Sequence, residues 1–197
     1  MVGIIKNKIA IKIIFVACLV TSCSHKIEDQ ENFIKENFIN IVDTTAYKYG
    51  SFRPLPPLPN DTINEVHYYS DLSIKLNDTI RYDNILQKEI NNFFNLNKAL
   101  KKEFHKLLED DNYSNLILTS KFPNKIGRYH IFSNKLDENI INKYAGEVEI
   151  SNFKINKDKA LLIVTKSFQN SMIAYIILFI KEDNKWKIVK REPLFVS

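Results

Sequence analysis

Glycine is nearly missing from this chain: Gly3, Gly50, Gly127 and Gly146 are the only four in 197 residues. Phosphate loops, dinucleotide fingerprints and Gly-x-Ser-x-Gly elbows need closely spaced glycines for tight turns and close backbone approach. None can be built from these four. Cysteine is scarcer still, limited to Cys18 and Cys23. The histidines, His25, His67, His105 and His130, are scattered, and no His-Glu-x-x-His occurs. Four-ligand zinc sites need clustered Cys and His, so neither a metal nor a cofactor is expected. Long apolar runs are also lacking. Ile13–Val20 and Ile173–Ile180 are eight residues each, whereas a spanning helix needs about 20.

What is present at the N-terminus is an address. Residues 1–12 carry Lys6, Lys8 and Lys12 with no acidic residue, and the apolar run 13–20 follows. A positive segment before a short apolar one is the pattern of a secretory signal. Val20-Thr21-Ser22-Cys23 then matches the bacterial lipobox: a branched apolar residue, two small ones, and a cysteine. Small residues let the peptidase approach the extended backbone, and the thiolate is the nucleophile that accepts diacylglycerol. Cys18 competes poorly, because Phe15 would sit three residues ahead of it and only five residues would separate it from Lys12. The expectation is a signal peptide over 1–22 and lipid attachment at Cys23. The expected location is the cell envelope, lipid-anchored, on the outer membrane and facing the periplasm or the cell surface.

Cleavage changes the charge. The whole chain has 28 basic and 23 acidic residues, net +5. Removing 1–22 takes three lysines and no carboxylate, leaving 25 against 23 and a mature charge of +2. A nucleic-acid surface needs a stronger, clustered basic patch, so no nucleic-acid partner is expected. The lipidated thiol becomes the mature chain's sole cysteine, so disulfides and a cysteine nucleophile drop out. Stability has to come from an ordinary hydrophobic core.

The mature chain reads as 23–64, a lipid-anchored helix and Pro-rich connector, followed by 65–197, a single globular domain. Over 26–42, Ile27, Ile34, Phe38 and Ile41 share one helical face. The opposite face is acidic, which favours packing on the body over lying on a bilayer. Arg53-Pro-Leu-Pro-Pro-Leu-Pro59 places four prolines in six residues, excludes helix, and reads as a stiff polyproline connector. Short strand patterns occur at 66–69 and 72–76. The strongest helical periodicity runs from Asn84 to Asp111, broken near Asn95–Asn97, with Asn97 expected to cap the second helix. Strands are expected at 115–119, 129–132, 147–150, 160–168, 172–180 and 186–189, with short polar hairpin connections. The segment 173–180 is apolar on both alternating faces, as a strand covered on both sides would be. The fold class expected is α+β, with N-terminal helices packed on a C-terminal antiparallel meander.

Several phrases together resemble a known group. Ile41-Val-Asp-Thr-Thr-Ala-Tyr47 leading to Arg53-Pro-Leu-Pro-Pro57, Ile150-Ser-Asn-Phe-Lys-Ile-Asn-Lys-Asp-Lys-Ala160, Trp186-Lys-Ile188 and the ending Leu194-Phe-Val-Ser197 resemble the uncharacterised small lipoproteins of Bacteroidota-type bacteria. The resemblance spans most of the mature chain. It implies the same lipoprotein address and the same α+β architecture, and it brings no activity. Members often carry a cysteine- and glycine-containing turn between the two long strands, where this chain has Ser167-Phe-Gln-Asn-Ser171.

One constellation carries possible chemistry. His67, in Val66-His-Tyr-Tyr69, and His130, in Gly127-Arg-Tyr-His130, sit among tyrosines on strand-like segments. If those strands neighbour each other, His67, Arg128, Tyr129 and His130 would line one pocket. A histidine there would serve as general base or anion ligand. The adjacent carboxylates Glu109-Asp110-Asp111, Asp137-Glu138 and Glu182-Asp183 fall at helix ends or turns and read as solvated. The leading expectation is therefore a non-enzymatic module, attached to the membrane by lipid, that binds an envelope protein or other envelope component through its sheet or the proline segment. The alternative is a small hydrolase-like pocket enzyme using His67 or His130. A deep apolar pocket with convergent histidines would mark the enzyme, and a filled interior with a flat exposed apolar patch would mark the binding module.

Overall fold

Apolar residues occupy both alternating faces of 160–164 and 174–179, and such strands need cover on two sides. The computed structural model describes residues 29–42, 72–109, 113, 115–118, 122–127, 129–133, 144–168 and 170–196. The expected signal segment, Cys23, the Pro-rich stretch, the expected strand at 66–69, His67, Arg128 and Asp137-Glu138 lie outside them. The described residues form nine strands: β1 Leu72–Leu76, β2 Thr79–Ile80, β3 Leu116–Ile117, β4 Lys125–Ile126, β5 Tyr129–Phe132, β6 Tyr144–Ile155, β7 Lys159–Phe168, β8 Ser171–Glu182 and β9 Lys185–Val196. Helices are α1 (29–42), α2 Asn84–Leu96, α3 Lys98–Glu103 and α4 His105–Glu109. The content is mixed α and β, with the sheet dominant over the helices.

Strands β4-β5-β1-β6-β7-β8-β9 form one seven-stranded sheet. The meander expected at the C-terminus is there: β6 to β9 pair antiparallel in sequence order. The two hairpins at its far end have short polar turns. Asn156 Oδ1 accepts from the amides of Asp158 (3.2 Å) and Lys159 (2.9 Å). Asp183 (φ 51°) and Asn184 (φ 60°) adopt the left-handed pair of a two-residue turn, a conformation that Asp and Asn tolerate. The sheet as a whole is not antiparallel, however. β1 lies between β5 and β6 and is parallel to both. The chain leaves β1 through α2–α4 and returns beside it in the same direction, as crossover connections do. Hydrophobic periodicity carries no strand direction, so this feature was not readable in advance.

The two sheet faces have separate cores. Ala160, Leu162 and Val164 of β7, with Tyr175, Ile177 and Phe179 of β8, face α1. Leu161 and Ile163, with Ala174, Ile176 and Leu178, face α2–α4. Helices thus flank the sheet on both faces. On α1 the buried positions are Gln30, Phe33, Ile34, Asn37, Phe38, Ile41 and Val42, the i, i+3, i+4 stripe of an amphipathic helix. Phe33 sits against Phe153, Phe179 and Trp186 at ring separations of 5.4, 5.2 and 4.9 Å. At the other end, Lys166 Nζ donates to the Val42 carbonyl and an Arg191 guanidinium N–H donates to that of Asn40. Cations at these carbonyls complement the negative end of the helix dipole. Gly127 (φ 58°) turns β4 into β5 beside α1. A Cβ there would meet Ile39 Cδ1 at 2.6 Å.

On the second face, α2 is fastened by a bulge. The β6–β7 register shifts between Ser151 and Lys154, leaving Asn152 fully buried at φ 48°. Its amide exchanges two bonds with the Asp83 backbone, accepting from N at 3.0 Å and donating to O at 2.9 Å. Asp83 in turn caps α2, accepting from the amides of Ile85 (2.7 Å) and Leu86 (3.0 Å). Replacing Asn152 by glycine keeps the backbone conformation free of strain but strands the Asp83 N–H and leaves its carbonyl with the Gln87 amide alone. The expected loss is about 2 kcal/mol in urea unfolding, and a loss under about 0.5 kcal/mol would remove this bulge from the stabilising interactions.

Two further expectations are corrected. Asn97 makes no side-chain cap to α3. Its Nδ2 donates backwards to the Phe93 carbonyl at 2.9 Å and closes α2, because an amide offers a donor as readily as an acceptor. The strand expected at 115–119 is only Leu116–Ile117, paired with β2 in a separate two-stranded sheet. The last strand, by contrast, runs on through Pro193 to Val196. β9 is the sheet edge, and Pro193 lies at a register shift opposite Tyr175, the setting in which a strand accommodates proline.

Candidate functional site

Strand alternation builds a polar surface beside the second core. Helices α2–α4 pack over Leu161, Ile163, Ala174, Ile176 and Leu178. Farther along the same face come Ser73 and Lys75 of β1, Glu147 and Glu149 of β6, Thr165 and Ser167 of β7, and Met172 of β8. Register sets Lys75, Glu147, Ser167 and Met172 side by side in one row across four strands. A cleft of about 300 Å³ opens over this row, rimmed by Asn77, Asp78 and Ser133 just past the carboxyl ends of β1 and β5.

Lys75 Nζ donates to Glu147 Oε1 at 2.6 Å, with the two side chains 39% and 46% exposed. So exposed a pair adds at most about 1 kcal/mol to stability, which leaves its groups available to a ligand. The Tyr144 phenol also bonds to Glu147. Burial, first, and then the Glu147 charge and that bond push its pKa up to about 12. The phenol therefore stays protonated at neutral pH and acts as a donor rather than a base. Its ring lies 6.3 Å from Phe132 and 6.2 Å from Phe168. Glu149 is approached by Arg81 Nε at 3.7 Å, and Asp78 accepts from Thr79 Oγ1 at 3.0 Å. The cleft is thus a half-open surface of donors and acceptors whose carboxylates have cationic or hydroxyl partners. Such a surface can hold a polar ligand by hydrogen bonds.

The expected His-Tyr-Arg pocket is only partly placed. Tyr129 is 1% exposed and points into the α1 core, 6.5 Å from Phe38. His130, the next residue on β5, points to the opposite face, as neighbours on a strand must. It is exposed, in register with Ser73 and Lys125, on the cleft side of the sheet but not among the residues lining the cleft. Tyr129 and His130 therefore do not share a pocket. His67 and Arg128 are outside the described residues. Of the remaining histidines, His105 is exposed on α4, its Nδ1 2.8 Å from the Lys102 carbonyl oxygen. Among the described residues no three His, Cys, Asp or Glu side chains are grouped to hold a metal.

Sequence reasoning passed over Lys75, Tyr144 and Glu147. The signal was present in part. Leu72-Ser-Ile-Lys-Leu76 and Glu147-Val-Glu-Ile150 alternate apolar and polar residues, so each strand presents one polar face. That those faces meet follows only from pairing across some 70 residues of chain.

No protein-family model matches the chain, and no curated protein or solved structure matches it. Among the described residues no helix is long and apolar enough to cross a membrane.

Proposed function

We propose that this chain is a lipid-anchored protein of the bacterial cell envelope, of the small-lipoprotein kind its sequence resembles. Its role is to bind a polar partner through the Lys75–Glu147 cleft rather than to catalyse a reaction. The observation that carries the anchor is Val20-Thr21-Ser22-Cys23 at the end of a short apolar segment. Support for binding comes from the cleft's chemistry. Its charged pair, flanked by the Ser167, Thr165 and Ser133 hydroxyls, suits hydrogen-bonded recognition of an envelope protein. The pocket-enzyme alternative loses support because Tyr129 is committed to the core and His130 stands outside the cleft.

The double variant Lys75→Met/Glu147→Gln tests this reading. Folding stability should change by no more than about 1 kcal/mol, since the pair is half exposed. Short-range cross-linking in the native envelope should join the wild-type chain to a specific protein. The yield of that adduct is expected to fall at least about tenfold in the variant, as when a hydrogen-bonded charged pair is lost from an interface. An equal yield from a normally folded variant rules the cleft out as the contact surface.

A further inference from the structure

The position of the cleft relative to the anchor has a consequence for how the domain sits on its membrane. Helix α1 runs along the sheet from beside its turn end to Lys166. Near its start, Phe33 contacts Phe153, Phe179 and Trp186, beside the hairpin turns Asn156–Asp158 and Asp183–Asn184. At its far end the Val42 carbonyl meets Lys166, whose chain neighbours Thr165 and Ser167 line the cleft on the other face. From residue 29 to Val42 the helix rises about 20 Å. From Ala160 to Ser167, β7 covers about 23 Å. The turn end and the cleft end are thus the two ends of one rigid body.

We propose that, on the membrane, the domain stands on its turn end and opens the Lys75–Glu147 cleft away from the bilayer, toward partners arriving through water. The proposal rests on lipid attachment at Cys23. Five residues separate Cys23 from Asp29, and six Cα–Cα steps span at most about 22 Å. The start of α1, packed into the core, is therefore held close to the headgroups. The tether rather than charge sets this orientation. Lys157, Lys159, Lys181, Lys185 and Lys187 at the turn end are balanced by Asp158, Glu182, Asp183, Asp29 and Glu31.

The test uses the full lipidated chain in phosphatidylcholine vesicles that carry a headgroup nitroxide quencher. A fluorophore is placed on Lys157→Cys at the turn end or on Asn170→Cys at the cleft end, both exposed positions. With Cys23 acylated and Cys18 removed with the signal, the introduced thiol is the free one. Quenching at position 157 is expected to exceed that at 170 at least threefold, roughly, given ~20 Å between the ends. The preference should persist in about 1 M salt, where the Debye length is ~3 Å. Equal or stronger quenching at 170 in protein that floats with the vesicles overturns the orientation and leaves the anchor intact. Loss of the preference in salt overturns the tether as its cause. Protein that fails to float overturns the anchor and the orientation with it.

Discussion

Exchanging Cys23 for alanine is expected to bring incorporation of labelled fatty acid down to background and to leave the precursor unprocessed. In the proposed lipoprotein the Cys23 thiolate would accept the diacylglycerol, and a methyl group offers no nucleophile. Each buried methylene contributes about 0.8 kcal/mol to membrane affinity, so one acyl chain binds reversibly while two or three hold firmly. Mature-length protein should therefore disappear from the membrane pellet, with only the unprocessed precursor remaining. Persistent labelling in the alanine variant would place the acylation elsewhere and end the lipoprotein reading.

A second large effect is expected inside the fold. Phe33→Ala should cost about 3–5 kcal/mol, the usual range for truncating a buried phenylalanine. Phe33 is 2% exposed and meets three aromatic rings from β6, β8 and β9, and each well-oriented aromatic pair adds about 0.5–1.5 kcal/mol beyond its area. The same substitution at Lys35, exposed on the other side of α1, should change stability by less than about 0.5 kcal/mol. Urea midpoints of the two variants decide the matter. If Phe33→Ala proves as mild as Lys35→Ala, α1 is not part of the domain's core.

The legible parts of this fold were those that local pattern controls. The stripe on α1 and the two-faced apolar runs of β7 and β8 were visible because 3.6- and 2-residue periods survive in the sequence. Tight turns at Asn156–Asp158 and Asp183–Asn184 were visible because polar residues that tolerate left-handed backbone mark them. Pairing was not visible. Whether β1 sits at an edge or between β5 and β6 depends on contacts far apart in sequence, and the cleft depends on that placement. The Tyr129–His130 pair misled for a related reason. Two adjacent residues on a strand belong to different faces, so their closeness in sequence is separation in space. Asn152 left no local trace either, since an asparagine in a run of strand residues looks like a surface position until the bulge buries it.

The outer strand β9 carries a last implication. Among the described residues it is the outermost strand of the sheet, from Lys185 to Val196, and it carries Lys185, Lys187, Lys190 and Pro193. Long unguarded edges recruit further strands and grow into aggregates, and lysines and prolines along them block such growth. Copies tethered to one lipid surface would collide in two dimensions, at local concentrations far above those in free solution. A strand edge that repels its own kind keeps such a crowd dispersed.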